Sequence, residues 1–458
     1  MGLRSFFGIL PPKLPYKDMA AEIEALPIPG KATLLWCKHA PSDVVPRVGD
    51  EIKTGQDLAQ KGKGPFISTV TGRIEDIAIL TGPDGYEYVA VAVTPNPRDS
   101  FDTSLESIDD FSKADSLELR TAINRAGFTA LSSISSDPSI WPAIGILIIS
   151  ALDQDPLSIA NQQAFRDQID QTEEAIQLLG RATAASRLVL ALPDHLTHIG
   201  RKFTRGPTTV AVVPPVYPNG LPEILAKKYG AGLLMQGSDG GFVGNTLVVS
   251  IEQALAMVGC LKAGKPLLNK TVTFSSGKNG PLKNFRARIG TPAADILKKT
   301  TTELIPKGKL ILNGAMRGYA CFSDEQPVTA AIDSIHVQAP SEVFFYQSKA
   351  CANCGRCNAI CPVNLEVNLL GRFSEYGIFE KCRDLGAENC IDCGLCAYVC
   401  PARRPLVQLI SHARHVIRTT TIEHVSTEDI LSIEEGEHPV IRLFETAPEN
   451  EKPLRNKA

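Results

Sequence analysis

The spacing of apolar and polar residues divides the chain into regions of different period. Between Lys31 and about Pro95, short apolar runs broken by turn residues predict β-strands. From Leu117 to Gly264, helical stretches alternate with strands of the buried type, which is typical of a mostly parallel α/β sheet. From Gly264 to about Ile335 the pattern predicts β-structure again. The chain is therefore predicted to combine α/β and β domains.

Individual elements follow from the same periods. One helix is predicted over residues 116–127, with Gly127 as its stop signal. An amphipathic helix is predicted near the C-terminus from the spacing of Leu406, Leu409, Ile410, Ala413 and Ile417. Further helices are predicted at 158–180, 223–229 and 251–263, and strands at 144–149, 187–192, 208–213, 267–275 and 310–313.

Composition indicates a soluble globular protein of several domains. Hydrophobic residues make up 43% and charged residues 21% of the 458 positions. The formal net charge of −3 gives no reason to expect a nucleic-acid partner. The longest apolar run, from Ile140 to Leu152, contains Pro142 and is shorter than a bilayer span. No transmembrane segment and no signal peptide are predicted, and a reducing compartment is expected.

The most specific motif is a pair of cysteine clusters between residues 351 and 401. Each half has the form C-x2-C-x2-C-x3-C-P, first as CANCGRCNAICP and then as CIDCGLCAYVCP. Three thiolates at steps of three residues let one loop bind three corners of a cubane, and in two-cluster ferredoxins the fourth cysteine binds the other cluster. On that pattern one [4Fe–4S] cluster is predicted at Cys351, Cys354, Cys357 and Cys400, and the other at Cys390, Cys393, Cys396 and Cys361.

Other uses of these cysteines fit the sequence less well. Zinc takes four ligands, commonly from two C-x2-C pairs, and would leave half of the thiols unused. Disulfides belong to short secreted scaffolds in oxidising compartments, which this chain does not resemble. The remaining cysteines are predicted to be small buried apolar side chains: Cys37, Cys260, Cys321 and Cys382.

Glycines and arginines accompany the cysteines. Gly355 and Gly394 are predicted to leave room where a larger side chain would crowd a cluster. Arg403 and Arg404 follow the second motif directly. A positive charge near a cluster would raise its potential and could dock an acidic partner, and an ordinary solvated surface explains the two arginines equally well.

These features predict seven segments along the chain. Residues 1–30 form a proline-rich arm, 31–95 resemble a biotinyl- or lipoyl-type barrel-sandwich, and 96–116 form an acidic linker. Residues 117–264 form the α/β domain, and 265–340 form a β-grasp-like module. Residues 341–420 form an α-helical ferredoxin-type domain with two [4Fe–4S] clusters, and 421–458 form a loosely ordered tail.

The order of these segments resembles the C subunit of the Rnf electron-transport complex, a family related to the flavin subunit of respiratory complex I. The resemblance extends over nearly the whole chain and is carried, in order, by GILPPK, KHAPSDVVPRVGDEIKTGQ, NFRARIGTPAADIL, LILNGAMRGYACFSDEQPVT and CGLCAYVCPARRPLVQLI. It implies that residues 117–264 have the α/β fold of the complex I flavin subunit. It also implies that residues 265–340 form a soluble-ligand-binding β-grasp domain.

One loop departs from the family. Members that oxidise NADH carry a glycine-rich loop, GxGGAGFPTxxK, whose glycines let the backbone approach the flavin phosphate and the nicotinamide. The corresponding stretch here is RAGFTALSSISSDPSIWP, in which only Gly127 and Phe128 echo the motif. Side chains from Ala130 to Ser133 would fill the cofactor space. The sequence therefore predicts a degenerate flavin/NADH site that does not bind FMN.

A pair of carboxylates follows the next predicted strand. The family motif NGAECEP, which faces the nucleotide, corresponds here to SALDQDP, so Asp153 and Asp155 keep acids at the same spacing. They could hydrogen-bond a ribose or a nicotinamide amide, and with Gly127 and Phe128 they are the candidate cofactor-binding residues. The simpler alternative is a solvated turn at a helix start.

The resemblance implies an iron–sulfur electron-transfer subunit of a membrane-associated oxidoreductase complex. Such a protein relays electrons through its clusters and needs no hydride-transfer site or catalytic residue of its own. The expected partners are other subunits of the complex and a ferredoxin-like or NADH-linked donor. The expected location is the cytoplasmic face of the inner membrane, as a peripheral subunit.

Other functions remain open at this point. The chain could be an FMN-dependent NADH dehydrogenase subunit, which would require tightly bound flavin. A related quinone reductase suggests that the α/β pocket could instead hold a quinone. Corrin-reducing relatives carry the same two cysteine motifs and suggest a third possibility.

Overall fold

The computed structural model describes residues 13–82, 86–102, 105–128, 139, 141–205, 208–230, 242–243, 245–277, 280–304, 306–343 and 349–419. The described residues up to 343 belong to one compact unit, and those from 349 onwards belong to a second. The first unit contains three larger sheets and their helices, whereas the second is helical.

The strands, in chain order, are β1 (Leu14–Pro15), β2 (Ile23–Ala25), β3 (Ala32–Cys37), β4 (Glu51–Ile52), β5 (Gly72–Thr81), β6 (Glu87–Pro95), β7 (Ile146–Ser150), β8 (Arg187–Pro193), β9 (Thr209–Val213), β10 (Val216–Tyr217), β11 (Phe242–Val243), β12 (Thr246–Ser250), β13 (Asn269–Ser276), β14 (Lys283–Arg288), β15 (Lys309–Leu312), β16 (Tyr319–Cys321) and β17 (Ser334–Gln338).

The helices are α1 (Ser116–Arg125), α2 (Ala160–Asp167), α3 (Gln171–Thr183), α4 (Thr197–Gly200), α5 (Pro222–Tyr229), α6 (Ile251–Ala263), α7 (Ala293–Lys299), α8 (Gly314–Arg317), α9 (Arg356–Ile360), α10 (Val367–Glu375), α11 (Phe379–Asp384), α12 (Leu395–Tyr398) and α13 (Leu406–Thr419).

The first sheet is antiparallel and has the strand order β3–β6–β5–β4. Side chains alternate along β3, so that Ala32, Leu34 and Trp36 point into the core while their neighbours do not. The Trp36 ring is stacked on Phe66, with the ring centroids 5.0 Å apart. This sheet lies in the segment predicted as a barrel-sandwich.

The second sheet has the order β11–β12–β7–β8–β9 and is parallel except for β11. Strand β7 is buried from Leu147 to Ser150, as expected when helices cover both faces of a parallel sheet. Strand β12 is absent from the elements predicted from the sequence. It passes directly into α6, so the two elements form one apolar stretch and no change of period marks the boundary.

The third sheet is mixed and has the order β16–β15–β17–β13–β14–β2. Its edge strand β2 comes from the N-terminal segment and runs parallel to β14. Strand β1 pairs with β10 in a separate two-stranded sheet. The sequence predicts no regular structure in residues 1–30, and the described part of that segment departs from this prediction. Strands of two or three residues are too short for their alternation to be recognised.

The second unit packs α9 to α13 around a small apolar core. Leu370 on α10 and Ile410 on α13 are fully buried at its centre. The two helices approach closely at Gly371, where an added Cβ would lie 2.7 Å from Cδ2 of Leu406. The glycine therefore allows α13 to pack on α10.

The predicted mixed α/β, multidomain fold class is confirmed at this level. Helix α6 has the bounds that the sequence predicts, and α13 extends the predicted amphipathic stretch by two residues at its C-terminal end. Among the helices of the described ranges, none is both long and apolar enough to cross a membrane.

Candidate iron–sulfur centre

Four cysteines drawn from both sequence motifs line one pocket in the helical unit. Cys351, Cys354 and Cys357 come from the first motif, and Cys400 comes from the second. Burial raises the pKa of Cys357 to about 11, and the other three thiols raise it further. The four side chains are therefore close enough to interact electrostatically.

The remaining four cysteines form a corresponding set. Burial raises the pKa of Cys396, and the thiols of Cys390, Cys393 and Cys361 add to the shift. Here Cys361 is the member from the first motif. The fourth cysteine of each motif thus lies with the first three of the other motif, as the spacing predicts for a two-cluster ferredoxin.

The two binding loops repeat the same backbone path 39 residues apart. Left-handed residues occur at Asn353 (φ 52°), Gly355 (φ 69°) and Asn364 (φ 58°), and again at Asp392 (φ 50°), Gly394 (φ 77°) and Arg403 (φ 53°). Backbone turns that mix left- and right-handed residues make concavities lined by N–H groups, which are common at iron–sulfur sites. Both motifs therefore fold as the same loop, with left-handed residues at equivalent positions.

Backbone N–H groups already point at cysteine sulfurs in these loops. The N–H of Asn353 donates to Sγ of Cys351, and that of Leu365 donates to Sγ of Cys361, both at 3.4 Å. A Cβ added to Gly355 would meet no protein atom within 4 Å. The left-handed backbone, rather than contact with the chain, therefore accounts for glycine at this position.

The two sets of side chains fit [4Fe–4S] clusters. The first set lines a common pocket, and the other three thiols of the second set lie close enough to Cys396 to interact with it electrostatically. The loops supply N–H donors of the kind that tune cluster potentials. Within the described ranges, no three of the possible ligands converge on a point as they would around a single ion. A cubane does not require this, because each thiolate binds a different iron. Since burial raises thiol pKa values here, cluster assembly must release protons.

Arg404 lies at the first set of cysteines. Its side chain is 5% exposed and lines the same pocket as Cys351 and Cys400. Its guanidinium forms an ion pair with Glu375 and donates to the carbonyl oxygen of Gly371 at 3.5 Å. The sequence places Arg404 after the second motif, but the exchange of Cys400 between sets brings it to the first.

Asp392 lies at the second set. Its Oδ1 is 3.7 Å from Sγ of Cys390 and accepts a hydrogen bond from Ser411 at 2.9 Å, while Oδ2 is paired with Arg414. Burial raises the pKa of Cys390 to about 12, and the charge of Asp392 raises it more than that of Arg414 lowers it. None of these three polar residues was predicted from the sequence to belong to the site. The available signals were the position of Asp392 between two cysteines and the i, i+3 spacing of Ser411 and Arg414.

Gly127 and Phe128, two of the candidate cofactor residues, terminate α1. The N–H of Phe128 donates to the carbonyl oxygen of Ile123, and that of Gly127 donates to Asn124, which is the bonding pattern of a Schellman motif. Phe128 is buried in the core of the α/β domain. Residues 129–138, where the family loop departs most, lie outside the described residues.

Asp153 and Asp155 have partners within the chain. Asp153 is buried and accepts from the N–H of Asn161 at 2.8 Å and from the Gln162 side chain at 3.0 Å. Asp155 accepts from the N–H groups of Ala315 and Met316 in α8. A Cβ on Gly314, at the start of α8, would overlap the Asp155 carboxyl group, so glycine is needed there. Both acids thus bind the protein itself in this structure.

A second pocket, in the first unit, contains a buried ion cluster that no sequence motif indicates. Phe128, Glu252 and Lys270 are among its lining residues. The Lys270 ammonium group lies 2.7 Å from Glu252 and 2.8 Å from Asp333. Burial alone would lower the pKa of Lys270, but the two carboxylates outweigh it and raise the pKa. The cation is thus fully compensated within the fold.

The cysteine sets and their repeated loops define a ferredoxin-type iron–sulfur protein. A family model described as a 4Fe-4S dicluster domain matches residues 344–401, which contain all eight motif cysteines. This match supports iron–sulfur binding by residues 344–401.

Several curated proteins are similar to this chain. The chain is 37% identical over 185 residues to the C subunit of an ion-translocating oxidoreductase complex of Methanosarcina acetivorans. It is 22% identical over 398 residues to the C subunit of a proton-translocating ferredoxin:NAD(+) oxidoreductase complex of Clostridium ljungdahlii, and 26% identical over 444 residues to the C subunit of an ion-translocating complex of Serratia proteamaculans. The chain is thus similar to C subunits of ion-translocating oxidoreductase complexes over most of its length. The matches cover 40%, 83% and 92% of this chain and 41%, 87% and 62% of the three relatives, respectively.

Solved structures give a weaker likeness. The match to an NAD+-reducing [NiFe]-hydrogenase in the H2-reduced state has a TM-score of 0.42 and 14% identity. It covers 77% of this chain and 72% of the hydrogenase chain. The air-oxidised form gives a TM-score of 0.37 over 66% of this chain and 54% of its own. These scores are too low to establish a shared fold.

Proposed function

We propose that this chain is the iron–sulfur electron-transfer subunit of a membrane-associated, Rnf-like oxidoreductase complex. The observation that carries the proposal is the exchange of Cys361 and Cys400 between two cysteine sets with matching loops. This exchange supports two [4Fe–4S] clusters rather than one. Such clusters, when bound, accept and release single electrons, which is the chemistry of a relay.

The proposed ligands fall into two groups of four. The chain's own contribution is to bind iron through thiolates, to donate N–H hydrogen bonds to sulfur, and to exclude water with the core around Ile410. The first group is Cys351, Cys354, Cys357 and Cys400, and the second is Cys390, Cys393, Cys396 and Cys361.

The segment assignments are part of the proposal. The four-stranded sheet supports a barrel-sandwich over 31–95, and the six-stranded sheet supports a β-grasp-like module over 265–340. The parallel sheet supports a flavin-subunit-like α/β domain over 117–264. In this assignment the first unit serves as a scaffold or docking surface for other proteins.

The expected partners come from the family. One relative is named as part of a ferredoxin:NAD(+) oxidoreductase complex, which supports a ferredoxin-like or NADH-linked donor for this chain. Other subunits of such a complex would hold the chain at the cytoplasmic face of the inner membrane.

The α/β domain is proposed to lack FMN. Gly127 ends helix α1, and Phe128 packs in the hydrophobic core. Asp153 and Asp155 accept hydrogen bonds from groups within the chain. Residues held in such contacts are poorly placed to bind a flavin phosphate or a ribose. These four residues remain the candidate ligands if a nucleotide does bind.

Cofactor analysis of the full chain purified without oxygen tests the proposal. Iron, acid-labile sulfide and extracted flavin are measured on one sample. About eight iron and about eight sulfide per chain, with no flavin, are expected for two [4Fe–4S] clusters. About one FMN per chain would instead support an NADH dehydrogenase and contradict the assignment of the α/β domain.

Two cysteine variants sharpen the test. Cys396→Ala removes a proposed ligand and is expected to lose the iron of one cluster, about half of the total. Cys382→Ala is the matched control, since Cys382 is also buried in this unit and donates only to the carbonyl oxygen of Leu370. Equal iron contents in the two variants would contradict the ligand assignment.

A further inference from the structure

We propose that the chain sets the two clusters at different reduction potentials by placing a cation beside the first and a carboxylate beside the second. The cluster held by Cys351, Cys354, Cys357 and Cys400 is assigned the higher potential. This inference rests on the proposed function, because it requires both clusters to be present.

The charged groups at the first set are positive. Of the residues that line its pocket, Arg356 and Arg404 are charged, and no carboxylate is among them. Arg404 is 5% exposed at its side chain, whereas its partner Glu375 is 39% exposed and does not line the pocket. The guanidinium therefore acts on the cluster in a poorly solvated setting, while the opposing carboxylate is better screened by water.

The charged group in contact with the second set is a carboxylate that belongs to an ion pair. Asp392 is 37% exposed at its side chain and places Oδ1 3.7 Å from Sγ of Cys390. Arg414, which is 15% exposed, pairs with the other carboxylate oxygen, and Ser411 donates to Oδ1, so the contact with sulfur is made by the anion and not by the cation. Once Cys390 is a thiolate bound to iron, this contact sets two negative groups side by side. Cys393 and Cys396 are also buried, so the second set is more shielded from water than the first, in which only Cys357 is buried.

The electrostatic consequence has a definite sign. Reduction adds one negative charge to a cluster. A nearby cation stabilises the reduced form and raises the potential, whereas a nearby anion and loss of solvation destabilise it and lower the potential. Both differences therefore favour reduction at the first set over the second.

The two equivalent loops differ in charge at a matching position. Asn353 and Asp392 occupy equivalent positions 39 residues apart, with φ of 52° and 50°. One is neutral and the other carries a carboxylate, although the surrounding loops have the same backbone path. Exchanging these two residue types changes the charge at a cluster with little change of shape.

Redox titration of the full cluster-loaded chain, followed by electron paramagnetic resonance, tests the proposal. Two reduction waves are expected. Arg404→Gln should move the more positive wave to lower potential. Arg404→Lys keeps the positive charge, so it should shift that wave much less than Arg404→Gln does. Asp392→Asn should move the more negative wave to higher potential.

Two further variants at more exposed positions test the proposal even if a change at Arg404 or Asp392 prevents folding. Glu375→Gln removes the counter-charge of Arg404 from a partly exposed position and should move the more positive wave upward. Asn353→Asp should move the same wave downward, and so narrow the gap between the two waves.

The proposal is overturned if Arg404→Gln moves the more negative wave, if Asp392→Asn moves the more positive wave, or if none of the variants shifts either wave. Iron and sulfide are measured on the same samples. A chain with fewer than two clusters would contradict the proposed function itself, whereas two clusters with the opposite order of response would contradict only the assigned order.

Discussion

Asp153 shows how burial changes what a residue can do. The sequence offers its carboxylate as a nucleotide ligand, but in the fold the side chain is buried and satisfied by Asn161 and Gln162. Burial raises the pKa of Asp153 to about 6. In an unfolded chain an aspartate has a pKa of about 3.9.

A dependence of stability on pH follows. Between pH of about 4 and 6 the folded chain keeps a proton on Asp153 that the unfolded chain has lost. Raising the pH through this window should therefore destabilise the first unit, by at most about 3 kcal/mol from this group. The asparagine in Asp153→Asn cannot ionise. The difference between the unfolding free energies of this variant and of the parent chain should therefore change between pH of about 4 and 6. Denaturant unfolding followed by tryptophan fluorescence measures this, because both tryptophans, Trp36 and Trp141, lie in the first unit.

The matched control is Asp170→Asn. Asp170 is 92% exposed at its side chain and is paired with Lys202, and such a surface pair contributes about 1 kcal/mol or less. A parallel pH profile for the parent chain and Asp153→Asn would contradict the raised pKa.

Single residues were predictable where their function depends on local spacing. The eight cysteines recur at fixed intervals, so their division into two sets follows from the motif alone. Arg404 follows Cys400 closely and could be assigned to the first set with it, whereas the pairing of Arg414 with Asp392 depends on tertiary packing. No local pattern contains that information.

Helix α13 shows which elements the sequence determines. Its buried residues Leu406, Ile410, Ala413 and Ile417 recur at helical spacing, so both the helix and its inner face could be predicted. Strands β1, β2 and β12 could not, since the first two are too short for alternation and the third merges with α6. Tertiary pairing, rather than local preference, defines these strands.

The same helix closes the core beside both cysteine sets. Ile410 is fully buried, and its replacement by alanine should destabilise the helical unit by about 2–5 kcal/mol. We expect Ile410→Ala to lose its clusters faster when an iron chelator is added, as measured by bleaching of the cluster absorbance. Gln408→Ala changes an exposed position on the same helix and should behave like the parent chain. Equal bleaching rates for the two variants would show that this packing does not protect the clusters.

At the scale of the whole molecule, the fold separates the cysteine chemistry from the larger α/β and β region. All eight motif cysteines lie in the unit that begins after residue 344, and its core is built from its own helices. The multidomain class could be predicted because the apolar period changes along the chain. The pairing of β2 with β14 could not, because it joins segments about 260 residues apart.

This separation predicts that residues 341–420 fold and bind their clusters without the rest of the chain. Both cysteine sets, the Asp392–Arg414 pair and the core around Ile410 lie within that segment. The fragment, reconstituted without oxygen, should therefore contain about eight iron, as expected for the full chain. A shorter fragment, 341–405, lacks α13 and is the matched control, and it should hold less iron because the core is open. If the fragment 341–420 held no more iron than 341–405, the segment would not be an independent domain, and the proposed boundaries would have to be redrawn.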